Sequence, residues 1–228
     1  MTAPGPDVPV RSEIDDTHRR LADHWSQPGD WWTAEQRLAM VALVRIAAAA
    51  QPLAPWQSPL TVDGLVGDAG DVLPDAAIDV VWRVTQHPGT LTRDWHQSIL
   101  DGGIDPVAYV ELVSVVSMAN AVEFFCHAVG QHSLELPQPS AGEPSQTAAA
   151  DAVVESHWVP TTAFAGPNIR KTLSATPAES DLQLAMLDSH YVPGGALAVE
   201  LTENVWSMQR SQMELVASRV SALNECFY

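Results

Sequence analysis

Between Asp105 and Gly130 lies an apolar segment too long for a strand, with Leu112, Val113, Val116, Ala119, Val122 and Phe125 recurring at helical spacing. Gly130 is a natural stop for it. The same period recurs elsewhere. Ile14, Leu21 and Trp25 mark a helix behind a Ser12 cap. A second helix starts at an N-cap Thr33, three residues ahead of Gln36, and runs through Leu38, Val41, Ala42 and Ile46 to Ala50. Helices are also expected over 74–87, 92–101, 148–155, 181–187 and from about Glu203 to Leu223, with a short turn at 158–160. No strict alternation long enough for a sheet occurs, so the chain is expected to be all-α.

Proline and glycine punctuate this pattern. Pro52, Pro55 and Pro59 followed by Gly64, Gly67 and Gly70 predict a long loop over 51–73. The run Leu136-Pro-Gln-Pro-Ser-Ala-Gly-Glu-Pro144 reads as a stiff, extended linker. The expected organisation is therefore an arm at 1–11 too rich in proline to order itself, a helical unit at 12–135, a linker at 136–147 and a second unit at 148–228. A weak echo between Val41-Ala-Leu-Val-Arg-Ile46 and Leu215-Val-Ala-Ser-Arg-Val220 aligns Arg45 with Arg219, as a duplicated unit would.

Composition narrows the function. Eleven Lys and Arg against 28 Asp and Glu leave a net charge of −17, which repels nucleic-acid phosphates and anionic lipid. Nucleic acid and membrane are excluded as partners on that ground, and no apolar run is expected to cross a bilayer. Two cysteines in 228 residues fit a soluble protein of a reducing cytoplasm.

One of those cysteines stands in a suggestive place. The segment Gln212-Met-Glu-Leu-Val-Ala-Ser-Arg-Val-Ser-Ala-Leu-Asn-Glu-Cys-Phe-Tyr228 places Glu214 a dozen residues before Cys226. It resembles the AhpD-like alkylhydroperoxidase and carboxymuconolactone decarboxylase superfamily, whose redox members carry a Glu at about that distance before a Cys-x-x-Cys followed by a His. Asp105-Pro-Val-Ala-Tyr-Val-Glu-Leu-Val-Ser-Val-Val-Ser-Met-Ala-Asn120 resembles the helix after the active site, and Trp32-Thr-Ala-Glu-Gln-Arg-Leu38 the entry helix. The resemblance implies an AhpD-like helical bundle of two related units, the second incomplete. It implies Cys226 as one redox sulfur and Glu214 as proton acceptor, a small peroxide or disulfide as substrate, and a dithiol as electron donor.

Two departures qualify that implication. The first unit offers Ala50-Gln-Pro-Leu53 where a Cys-x-x-Cys would fall, so it carries no sulfur there. In the second, the resolving group would follow Tyr228. A selenocysteine encoded there by a stop codon would place a chain end at this point of the motif, and without that group turnover is expected to be feeble. Geometry adds a condition. Along a continuous helix Glu214 and Cys226 would lie roughly 18 Å apart, so contact needs a chain reversal at Asn224-Glu225.

Competing readings are a non-catalytic helical oligomerisation protein and a decarboxylase-like acid–base enzyme. Cys126-His127 is expected to be a buried thiol beside a helix-end imidazole. No cofactor is expected, nor a metal site from His87, His96, His157 or His190. Glu111 and Glu123 are expected on a subunit interface or a solvated face. Trp31, Trp32, Trp56, Trp82 and Trp95 are expected in the core or at contacts between copies of a homo-oligomer.

Overall fold

The computed structural model describes residues 8–163, 168–193, 200–224 and 226. The protein is all-α. Its helices are α1 (Ser12–Trp25), α2 (Ala34–Ala49), α3 (Asp75–Gln86), α4 (Arg93–Asp101), α5 (Pro106–Val129), α6 (Asn168–Lys171), α7 (Pro177–His190) and α8 (Arg210–Leu223). The single sheet among the described residues is a two-stranded ribbon, β1 (Asn204–Val205) against β2 (Met208–Gln209).

Local chemistry sets the helix ends. Thr33 accepts a hydrogen bond from the Gln36 backbone and Gln36 accepts one from the Thr33 backbone, a complete capping box for α2. Asp105 Oδ1 accepts from Val107 N at 2.7 Å at the start of α5. That helix stops at Gly130, whose φ of 78° lies in the left-handed region that glycine enters without a Cβ penalty. At α1 the cap differs from the expectation. Arg11 is the N-cap and Ser12 the first helical residue.

α2, α3 and α5 pack into the centre, where Met40, Leu43, Val44, Ile78, Val81, Leu112 and Val116 are buried. α5 is buried on several sides: Leu112, Val116, Ala119 and Val122 are joined by Val110, Val115 and Met118. This corrects the expectation that no run suits a bilayer, because α5 is long and apolar enough by length and composition to cross one. Here its apolar surface is spent on the protein core.

The loop over 51–73 contains two short 3-10 turns, Pro59–Thr61 and Gly67–Asp71, and sends Leu53, Leu65 and Val66 against the core. The Pro-rich run is extended, as its composition predicts, and is laid along the turn between α1 and α2. Ser140 N donates to Ser26 O at 2.8 Å, Ser145 N to Gly29 O at 3.2 Å and Gln146 N to Asp30 O at 2.6 Å. Beyond it, α7 packs on α1 and α5, and Leu173, Leu182 and Met186 enter the same hydrophobic cluster as the earlier helices. The two sides of the run share one core.

Two expected helices change. Residues 148–155 form no helix: Ala152 N donates to Ala149 O across a turn, Ala149 N donates to Ala175 O, and Val153 pairs in both directions with Thr161. Those bonds take the backbone groups a helix would use, and tertiary pairing overrides the alanine propensity. The last helix starts at Arg210 instead of near Glu203, since the ribbon occupies 204–209 and a Gln209–Gln212 capping box opens the helix after it. α8 buries none of its residues, and Leu215, Val216, Val220 and Leu223 face solvent.

Candidate functional site

Cys226 is exposed just beyond α8, and its N–H donates to Ser221 O at 2.9 Å, so the chain turns back over the last helical turn. Asn224 caps the helix at the expected bend, while Glu225 lies outside the described residues. Glu214 is on the same helix, its Oε1 held by both Arg210 Nε and Nη2 at 2.7 Å. The Tyr191 hydroxyl also hydrogen-bonds this carboxylate, and it and Arg210 hold the acid below its ordinary range. Unbroken helix from Glu214 to Leu223 separates the acid from the thiol by roughly 13 Å of axial rise. Within one chain the two expected site residues are not in contact.

The other sulfur is of a different kind. Cys126 is buried in α5, and burial, with Glu123 nearby, pushes its thiol up. His127 is exposed on another side of the helix. The four histidines considered for metal binding are dispersed: His87 faces Leu53 O, His96 packs edge-on against Tyr109, His157 bonds Ser156 and His190 faces His18. Of the tryptophans, Trp32 is buried with Nε1 donating to Ala108 O and Trp82 lies in the core, but Trp56 is 85% exposed, contrary to a core role.

A dense polar constellation includes Glu111, expected on a subunit interface or a solvated face. Arg37 of α2, Glu111 of α5 and Glu179 of α7 are all buried. Arg37 Nη2 donates to Glu179 Oε1 at 2.8 Å and its Nε lies 3.5 Å from Glu111 Oε1. Glu179 Oε1 also meets His24 Nε2 at 2.6 Å, while its Oε2 accepts from Ser114 Oγ at 2.6 Å. Glu111 Oε2 accepts the Trp31 N–H at 2.7 Å. Gly29 closes over the group, since a Cβ there would stand 1.8 Å from Glu111 Oε1. Glu111 thus faces neither a subunit interface nor solvent. Glu123 is likewise committed inside the chain, to Arg45 Nε at 2.7 Å.

The two carboxylates around one guanidinium are pushed apart. Burial raises Glu111 to about 7, with Arg37 opposing and Glu179 reinforcing the rise. Burial also raises Glu179, but the His24 hydrogen bond, the Arg37 charge and Ser114 outweigh it, and the net shift is downward. Divergent acids of this kind are what acid–base catalysis needs. Arg37, Glu111 and Glu179 are shut off from solvent. Two surface clefts, at Leu53–His87 and at Thr162–Leu184, are lined by other side chains. The cluster therefore ties three helices together as a closed polar core. A basic and an acidic residue inside otherwise apolar helical runs, Arg37 and Glu111, were the sequence signal for it.

Comparison with known proteins finds no matching family model, no similar curated protein and no similar solved structure.

Proposed function

We propose that this chain is a thiol-dependent oxidoreductase of the AhpD-like type, acting on a small peroxide or disulfide in a reducing compartment. The observation that carries the reading is the contrast between the sulfurs: Cys226 is open to solvent and Cys126 is buried with its thiol form favoured. The Cys226 thiolate attacks a peroxide oxygen, the S–O bond forms as the O–O bond breaks, and the leaving alkoxide takes a proton to become an alcohol. A dithiol then attacks the sulfenic acid, forming a mixed disulfide and water. Its second thiol closes on the first and returns the Cys226 thiolate. Glu214, kept ionised by Tyr191 and Arg210, is the proton acceptor if the chain beyond Asn224 folds back along α8.

Peroxide consumption with an added dithiol tests this. Wild-type and Cys126→Ser proteins should turn over alike while Cys226→Ser loses the rate; equal rates in all three remove thiol catalysis. A second reading, a non-catalytic helical module that associates with copies of itself, is favoured by the four exposed apolar side chains of α8.

A further inference from the structure

His18 of α1 and His190 at the end of α7 meet with their Nε2 atoms 2.9 Å apart. The hydrogens of this pair follow from its neighbours. His190 Nδ1 lies 2.9 Å from Ser189 Oγ and 3.2 Å from the Met186 carbonyl; the Ser189 hydroxyl donates to Ala185 O at 2.9 Å and is left to accept, and a carbonyl can only accept, so Nδ1 carries the hydrogen. The Nε2 of His190 is then a lone pair, and His18 Nε2–H donates to it. Phe125 of α5 meets both rings edge-on, His18 at 5.4 Å and His190 at 5.3 Å between centroids, and brings no charge. Asp15 of α1 favours protonation of His18, and Arg11 disfavours that of His190.

This pair sits where the helical body hands over to the C-terminal segment. Arg11 donates to Ser189 O and its guanidinium lies 3.6 Å from the Trp206 ring centroid. Trp206 Nε1 donates to Tyr191 O at 3.0 Å, and Tyr191 holds Glu214. Among the described elements, α8 packs mainly on β2. Among the described residues, the hold of the body on 200–224 thus passes through Arg11 and the end of α7.

We propose that the His18–His190 pair is a proton-operated latch, which docks the end of α7 and the segment beyond it on α1 when neutral and releases them on acidification. A first proton can enter at His18 Nδ1 and leave the shared hydrogen bond intact. A second requires N–H groups on both Nε2 atoms, and at 2.9 Å these repel. Burial, assisted by the neighbouring imidazole, holds His18 down at about 4, and burial also lowers His190. The sign follows. Both imidazoles are protonated more readily when undocked, so docking is fully favoured above the ordinary histidine range and weakens as pH falls from 6.5 towards about 4.

The test uses the full chain with one spin label on the exposed Cys226 and another on Glu35→Cys, an exposed position of α2. Inter-label distances are recorded from about pH 7.5 to about pH 4.5, above the range in which Glu179 takes up its proton. The expected result is a narrow distribution at neutral pH that broadens and lengthens on acidification, while circular dichroism shows the helix content retained. His18→Phe/His190→Leu should abolish that transition. A distribution unchanged across the range, a wild-type response persisting in the double variant, or loss of the whole helix signal in step with the distance change would overturn the latch.

Discussion

Gly29 is the residue on which the buried polar core depends most directly. Its missing side chain lets the backbone close on Glu111, where an added Cβ would lie 1.8 Å from Oε1. Gly29→Ala must push the carboxylate off Arg37 or the loop off α5, and the expected loss is about 3 kcal/mol, as for breaking a buried ion pair or overpacking a core. Urea unfolding measures it, and a change below about 0.5 kcal/mol would mean that the loop yields freely. Glu111 carries a pH signature as well. Its acid stays protonated in the folded chain up to about 7 but ionises near 4.5 when unfolded, so its contribution to stability falls as pH rises through that interval. The His18–His190 pair contributes in the opposite sense. Glu111→Gln removes the first effect and should make the melting temperature climb more steeply between about pH 5 and pH 7 than in wild type. Parallel slopes would place the raised acid elsewhere. These groups were only half legible in the chain. Arg37 and Glu111 stand out as charges in apolar helices, but Glu179 joins them across a sequence separation of 142 residues from Arg37, and no local pattern reports that.

At the scale of elements, helix starts with strong chemistry were readable and those without it were not. The Thr33–Gln36 box and the Gly130 stop both fell where side-chain geometry demands. Residues 148–155 did not, since their alanines favour a helix weakly while pairing with Thr161 and Ala175 satisfies the same backbone groups. α8 is the element whose surface is least explained by the body it belongs to. Val216→Glu/Val220→Glu alters two side chains that are 56% and 51% exposed, so monomer stability should move by less than about 0.5 kcal/mol. Sedimentation velocity then tells whether α8 joins copies of the chain: association in wild type that disappears in the variant supports the self-associating reading, and association unaffected by the charges removes α8 from it.

For the molecule as a whole, the decisive feature is that α7 reaches back across the Pro-rich strap to complete the core begun by α2 and α5. A chain ending at residue 135 leaves Arg37 without Glu179 and uncovers the surface under Leu182 and Met186. It should melt without a cooperative transition, while residues 8–193 should melt as one unit. Calorimetry on the two fragments decides, and a sharp transition in the shorter one would show that the first five helices fold unaided. Periodicity, capping residues and proline breaks determined from the sequence alone that the protein is helical and roughly where most helices lie, because those signals act within a few residues of one another. The partner of Arg37, the facing of His18 and His190, and the separation of Glu214 from Cys226 were decided only by tertiary structure. Each depends on which distant surfaces the apolar stripes bring together, and burial then alters the charge state of whatever polar groups are caught between them.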